Sequence, residues 1–193
     1  MTLKFNIAWE NQTPIPDKSF KCGYCGEQVA SHAGYQTGAR SNGPAFIYIC
    51  HMCNQPTYWL QTEQKQTPGA RTGAEVKNLP VNIAALYNEA RDCIAASANT
   101  AAVLVCRKLL MNVAVDLSAP PNKTFVEYVK YLSDNHYIPP NAQGWVDHIR
   151  NKGNEANHEI HLMSQTDAKE LISLAEMLLK IVYEFPARVP TAP

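Results

Sequence analysis

The spacing of apolar residues changes along the chain and divides it into two parts. Up to about residue 62, apolar residues come in short runs rich in aromatic and β-branched side chains, such as FIYICHMC and PTYWLQT, which are typical of β-strands. From residue 80 onward they recur every three or four positions, which predicts helices. The polar stretch between the two parts contains Pro68, Gly69 and Gly73. It predicts a linker over residues 63–79.

The second part predicts an antiparallel bundle of four to five helices with short connections. Pro80 suits a first helical turn, and Thr124 with Glu127 has the spacing of a capping box. The stretch from about residue 100 to 117 is apolar almost all round, as expected of a helix buried on most sides. Asn141 can cap a further helix. The last helix carries apolar residues at helical spacing: Leu171, Leu174, Leu178, Val182 and Phe185.

We therefore predict a small β domain followed by an all-α antiparallel bundle. The β domain is expected over residues 1–62, the linker over 63–79 and the bundle over 80–193. No internal repeat or low-complexity tract interrupts this order.

The charge balance excludes a protein that holds nucleic acid by its net charge. Lysine plus arginine and aspartate plus glutamate each number 17, whereas such proteins carry a clear basic excess. The N-terminus lacks the layout of a signal peptide, and no run approaches the roughly 18 apolar residues of a membrane span. We expect a cytoplasmic protein without membrane contact, in which six cysteines are thiols or metal ligands.

Four of the cysteines form two CxxC pairs, CGYC and CHMC. Four thiolates can surround Zn²⁺ tetrahedrally at about 2.3 Å, and a two-residue gap lets one turn supply two of them. A site with four protein ligands has no open position, so we predict one structural Zn²⁺ per chain in a zinc ribbon. The predicted ligands are Cys22, Cys25, Cys50 and Cys53.

The other candidate ligands near these pairs and in the helices have simpler interpretations. His51 lies between two ligands and is expected to be a bystander. Cys93 and Cys106 lie among alanine, leucine and valine, so we expect them to be buried as small apolar residues.

A polar stretch late in the bundle, HIRNKGNEANHEIH, contains candidate catalytic residues. If its helix continues through Gly153, then Arg150, Asn154 and His158 lie on one face at four-residue steps. A histidine can exchange a proton with a ribose 2′-hydroxyl or a leaving oxygen, and a guanidinium can stabilise a charged phosphorus intermediate. Asn154 would orient the substrate. These polar groups could equally cap one helix and bond to the next.

The segment IRNKGNEANH resembles the IR-x-x-GN-x-x-x-H signature of a widespread prokaryotic domain of unknown function, type 4145. That domain belongs to the HEPN superfamily of helical bundles associated with nucleotides and RNA. The resemblance extends upstream through LPVNIAALYNEARDCIAA and AAVLVCRKLL and downstream to LLKIVYEFP. Members often carry a CxxC…CxxC zinc ribbon in front. The resemblance therefore implies a HEPN-like bundle.

Many HEPN proteins are metal-independent ribonucleases of phage-defence and toxin–antitoxin systems, and they commonly dimerise so that two Arg…His motifs share one cleft. The resemblance implies a homodimer that acts on RNA or a nucleotide through Arg150, Asn154 and His158, with Arg107 matching another frequent family arginine. This chain departs from the catalytic pattern. Seven residues separate Arg150 from His158, against four to six in catalytic members. One extra residue turns a side chain by about 100° on a straight helix.

Two functions follow, and a third is weaker. The first is a dimeric endoribonuclease, and the second is a non-catalytic module that dimerises or binds RNA, a nucleotide or a protein partner. A zinc ribbon that binds DNA is the weaker third, because only Lys18 and Lys21 lie near the first CxxC pair.

Overall fold

The structure, a computed structural model, describes residues 8–38, 43–139, 144 and 162–189. The chain divides into two compact units, Met1–Arg71 and Thr72–Pro193, which we call the β unit and the helical unit. The predicted order, a β region followed by a helical part, is confirmed.

The β unit contains one antiparallel sheet in which five strands follow each other in chain order. The strands are β1 (Thr13–Lys21), β2 (Gln28–Gln36), β3 (Ala45–Ile49), β4 (Pro56–Leu60) and β5 (Lys65–Thr67). Side chains that lie opposite each other on neighbouring strands share one face of the sheet. Phe46 therefore shares a face with Trp59, and the same face carries Tyr48 into the core of this unit.

Strands β4 and β5 make contacts with β1, at the opposite edge of the sheet, so the sheet curls around its core. The Gln66 side-chain amide on β5 donates a hydrogen bond to the Lys21 carbonyl oxygen on β1 at 2.8 Å. The Lys18 ammonium lies 3.7 Å from the centre of the Trp59 ring. Strand β5 falls within residues 63–79, the segment predicted as a linker. The division between the units falls within the same segment, after Arg71.

Four helices lie within the described part of the helical unit: α1 (Val81–Ala95), α2 (Asn99–Asp116), α3 (Phe125–Asp134) and α4 (Gln165–Leu179). Helix α2 buries residues on most of its circumference and packs against the other three. Their apolar faces form one core. The helix predicted from Asn141 lies outside the described residues. No helix in the described ranges is both long enough and apolar enough to cross a membrane.

Capping boxes begin two of the helices. The Thr124 hydroxyl accepts a hydrogen bond from the Glu127 backbone NH, and the Glu127 carboxylate accepts one from the Thr124 NH, as the sequence predicted. Ser164 and Asp167 form the same reciprocal pair at the start of α4. Each box satisfies backbone donors that a first helical turn leaves free.

The last helix does not keep its α geometry to the end. A π turn over Lys180–Glu184 follows α4, with the Phe185 NH bonded to the Lys180 carbonyl oxygen at 2.8 Å. The wider turn shifts the following residues around the helix axis. Phe185, which the periodicity placed with the buried leucines, is therefore 47% exposed, while the charged Glu184 is only 4% exposed.

Residues 72–77, which we call the entry segment, are held by side chains of the helices. Arg91 donates hydrogen bonds to two carbonyl oxygens of the segment, at 3.1 and 3.0 Å, and the Tyr87 hydroxyl donates to a third at 2.8 Å. The carboxylates of Glu176 and Glu184 accept bonds from two of its NH groups, at 2.8 and 2.9 Å. The entry segment thus satisfies polar groups that the bundle buries.

Candidate metal centre

Two turns of the sheet place the four paired cysteines. Cys22 follows β1 and Cys25 precedes β2, while Cys50 follows β3 and Cys53 precedes β4. Because all four strands are antiparallel neighbours, these two turns meet at the same end of the sheet. We call the four residues the tetracysteine cluster.

The two turns have the same backbone hydrogen bonds. In the first, the Cys22 NH bonds to the Glu27 carbonyl oxygen at 2.9 Å, and the Gly26 NH bonds to the Cys22 carbonyl oxygen at 2.9 Å. In the second, the Cys50 NH and the Asn54 NH make the equivalent bonds, at 3.0 and 2.7 Å. Gly26 and Asn54 both have a positive φ, 76° and 59°. Asparagine is among the residues other than glycine that adopt this region most readily, so Asn54, directly after the second CxxC pair, is a signal of this turn in the sequence.

Each sulfur accepts a hydrogen bond from the backbone NH two residues further along. The Tyr24 NH lies 3.4 Å from the Cys22 sulfur, and the Met52 NH bonds to Cys50 in the same way. The NH groups of Glu27 and Gln55 bond to Cys25 and Cys53. NH donors of this kind stabilise sulfur in its thiolate form.

The four sulfurs form a compact group. All of them lie within 4.8 Å of one another. The Cys22 and Cys53 sulfurs are 3.7 Å apart, as are those of Cys25 and Cys50. Such a group can hold a metal ion, and among the described residues it is the only set of three or more potential ligands placed this closely.

Three of the four cysteines are fully enclosed by protein. Cys22 and Cys50 are 0% exposed and Cys53 is 2% exposed, while Cys25 is half-buried. The enclosed cysteines pack with Phe20, Val29 and the sheet aromatics in the core of the β unit.

The electrostatics of the cluster oppose four thiolates in the absence of a cation. Burial raises the pKa of Cys25 to about 11, and burial together with the neighbouring thiols raises the pKa of Cys53. Burial also acts to raise the pKa of Cys50, but the NH groups of Cys53 and Met52 outweigh it and lower that pKa below its usual value. Burial therefore disfavours the thiolate form of Cys25 and Cys53, and a divalent cation would supply the charge needed to ionise these thiols.

The remaining sequence candidates take different positions. His51 is exposed and is not part of the group of potential metal ligands that the four cysteines form. Cys106 is fully buried on α2, as predicted, and burial raises its pKa to about 12, whereas Cys93 is only half-buried.

Arg107 is buried with its guanidinium 4.5 Å from the centre of the Phe125 ring, and burial lowers its pKa. Arg150, Asn154 and His158 lie outside the described residues.

These features define a protein of two units, in which a β unit with a tetracysteine cluster precedes a helical unit. Residues 88–192 match the family described as a domain of unknown function, DUF4145. The match spans more than half of the chain, so the chain belongs to this family. It begins inside α1 and does not include the tetracysteine cluster. No curated protein and no solved structure matches the chain.

Proposed function

We propose that this chain is a zinc-ribbon protein of HEPN type, which binds or acts on RNA or a nucleotide through its helical unit. The observation that carries the proposal is the tetracysteine cluster, which we infer holds one structural Zn²⁺. The association with RNA rests on the resemblance of the IRNKGNEANH segment to HEPN motifs. This segment lies within the part of the chain that matches the DUF4145 family.

The geometry of the cluster fits zinc. Four sulfurs at about 2.3 Å from a tetrahedral Zn²⁺ are about 3.8 Å from each other. Two of the cross-turn pairs, Cys22–Cys53 and Cys25–Cys50, have sulfurs 3.7 Å apart. Thiolate is a soft ligand, and four thiolates in tetrahedral order favour zinc over the hard cations calcium and magnesium.

A zinc ion with four cysteine ligands has no position for water or substrate, so its role is structural. The β unit buries a small apolar core, of which three cysteines are part, and small domains of this kind commonly need a metal for stability. We therefore do not expect this zinc to take part in a reaction.

Removal of the metal tests the structural role. We expect a chelator to release one zinc ion per chain and to remove the CD signal and amide protection of the β strands, because zinc contributes on the order of 10–16 kcal/mol to folding in comparable peptides. Cys53→Ser should abolish zinc binding, and the matched control Cys93→Ser should leave it unchanged. If the β unit keeps its amide protection after the metal has been removed, the role of the zinc is not structural.

Arg150, Asn154 and His158 are the residues proposed to act on RNA. In this proposal His158 exchanges the proton, Arg150 holds the phosphate and Asn154 orients the substrate. The DUF4145 match covers all three positions. If the seven-residue interval separates Arg150 and His158 within one chain, a homodimer can bring the arginine of one copy to the histidine of the other.

The experiment compares wild type with His158→Ala on labelled RNA in EDTA, with His136→Asn as the control. His136 has a φ of 62°, which asparagine tolerates, so this control removes an imidazole without backbone strain. Cleavage by wild type and by the control, but not by His158→Ala, supports an enzyme. Binding without cleavage supports the alternative, a non-catalytic module. A chain that neither binds nor cleaves RNA or nucleotides would reject the association and leave the zinc ribbon.

Mixing variants tests the dimer. Arg150→Ala and His158→Ala should each be inactive, and co-folding the two should restore cleavage if one site takes its arginine and histidine from different copies. Light scattering must then give the mass of a dimer. A monomeric mass would contradict the shared site.

A further inference from the structure

We propose that the tetracysteine cluster is also a modification site, at which a peroxide attacks the Cys25 sulfur and Cys50 then closes a disulfide with it. The inference rests on the proposed zinc ribbon, because the bound ion would keep Cys25 and Cys50 as thiolates and would be released at the end of the reaction. Cys25 is the residue that is oxidised first, and the Cys25–Cys50 disulfide is the product.

Cys25 is proposed as the first residue to react because it is the most exposed of the four cysteines. Sulfur oxidation follows the accessibility of the thiolate. Cys22, Cys50 and Cys53 are at most 2% exposed, so a solvent-borne oxidant meets protein atoms before it reaches their sulfurs. Cys25 is half-buried, and its neighbour Tyr24 is 43% exposed, so this edge of the first turn is open to solvent.

We propose Cys50 as the partner because its sulfur already lies close to the Cys25 sulfur. The Cys25 and Cys50 sulfurs are 3.7 Å apart across the two turns, so a small movement brings them to the bond length of a disulfide, about 2.05 Å. A second cross-turn pair, Cys22 and Cys53, is equally close, but both of its cysteines are enclosed by protein. The structure therefore points to a bond between the turns and not within one CxxC pair.

The reaction balances with one peroxide. The Cys25 thiolate attacks a peroxide oxygen, the O–O bond breaks, and a sulfenic acid and hydroxide form. The Cys50 thiolate then attacks the Cys25 sulfur, the S–O bond breaks, and a second hydroxide leaves as the S–S bond forms. Two solvent protons convert the hydroxides to water. The two thiolates lose two electrons in total, and hydrogen peroxide accepts them.

The metal loses half of its ligands in this step. Zinc binds thiolate and not disulfide sulfur, so Cys22 and Cys53 alone would remain. We expect the ion to leave, and a dithiol reductant with added Zn²⁺ to restore the original site. Reversal of this kind is typical of disulfides and excludes oxidation to sulfinic or sulfonic acid.

The experiment treats the zinc-loaded full chain with one equivalent of hydrogen peroxide per chain. Released zinc is followed with a colorimetric chelator, and free thiols are then blocked with N-ethylmaleimide before mass spectrometry. Chymotrypsin cleaves after Tyr24 and, more slowly, after Met52, which separates all four cysteines into different peptides. Cys93→Ala with Cys106→Ala is the matched background, because only cluster cysteines remain in it.

We expect a peptide pair linked through Cys25 and Cys50, formed in step with loss of one zinc per chain and reversed by a dithiol. A disulfide between any other two cysteines of the cluster, or zinc release without any disulfide, would overturn the proposal.

The outcome is distinguishable from failure of the zinc ribbon itself. A purified chain without zinc that still forms the Cys25–Cys50 bond supports the modification site and rejects the metal. A zinc-loaded chain whose cluster survives peroxide supports the metal and rejects the modification site.

Discussion

At the scale of single residues, buried polar groups of the β unit differ in whether they have a partner. The Tyr48 hydroxyl donates a hydrogen bond to the Pro16 carbonyl oxygen at 2.9 Å. Thr57 lies opposite Tyr48 in the sheet and is fully buried, yet its hydroxyl has no hydrogen-bond partner among the residues that the structure describes. A buried hydroxyl without a partner costs about 1–3 kcal/mol.

Thr57→Val removes this hydroxyl and keeps the shape of the side chain. We expect the free energy of unfolding of the zinc-loaded β unit to rise by about 1 kcal/mol. Urea unfolding followed by tryptophan fluorescence measures the change, and Thr57→Ala, which leaves a cavity, should lower it. Equal losses in both variants would show that the threonine hydroxyl is satisfied.

The sequence predicted the tetracysteine cluster because its determinants are local. Two residues between the cysteines of each pair suit one turn, and a strand on either side brings the two turns together. The exposure of each cysteine could not be predicted from this spacing. The greater exposure of Cys25 depends on how the whole sheet packs around the other three cysteines.

At the scale of secondary-structure elements, features that depend on local contacts could be predicted from the sequence, and features that depend on distant contacts could not. The capping box of Thr124 and Glu127 spans four residues and was visible in the sequence. The π turn after α4 was not, because it places Glu184 against the backbone of Lys77, a residue 107 positions earlier. A periodic pattern contains no information about such a distant partner.

The carboxylates that hold the entry segment predict a dependence of stability on pH. The Lys77 NH lowers the pKa of Glu184. Burial acts to raise the pKa of Glu176, but Lys180 and the Ala74 NH outweigh it and lower that pKa. A carboxyl whose pKa is lower in the folded state stabilises fully above its ordinary pKa of about 4.3, and this stabilisation is lost as pH falls through the folded value.

Glu184→Gln tests this dependence, because glutamine can still accept the hydrogen bond but has no charge. We expect the variant to be less stable than wild type near neutral pH, and the difference to shrink as pH falls below 4. Denaturant unfolding of the helical unit at several pH values measures it, with Glu89→Gln on the exposed side of α1 as the control for a lost charge. A difference that stays constant with pH would contradict the assignment.

At the scale of the whole molecule, each unit has its own apolar core. The helical unit extends further toward the N-terminus than the DUF4145 match, which begins at residue 88. Residues before that point contribute Ile83 and Tyr87 to the core, both at most 3% exposed, and the entry segment satisfies Arg91 and Glu184.

This boundary predicts different behaviour for two truncated chains. A chain that begins at Thr72 should unfold cooperatively with heat, whereas one that begins at Asn88 should lack a cooperative transition. The shorter chain loses buried apolar side chains worth about 1.5–3 kcal/mol each and leaves buried polar groups without partners. Calorimetry compares them, and equal transitions would place the boundary at Asn88.

The central claim is that four thiolates of the β unit hold one zinc ion, and native mass spectrometry of the full chain tests it most directly. At a given charge state one Zn²⁺ takes the place of two protons, so the mass should exceed that of the metal-free chain by one zinc less two protons. Cys25→Ser should lose this species, and Cys106→Ala should keep it. A folded chain purified with no metal, or a Cys25→Ser variant that keeps the zinc-bound species, would contradict the account.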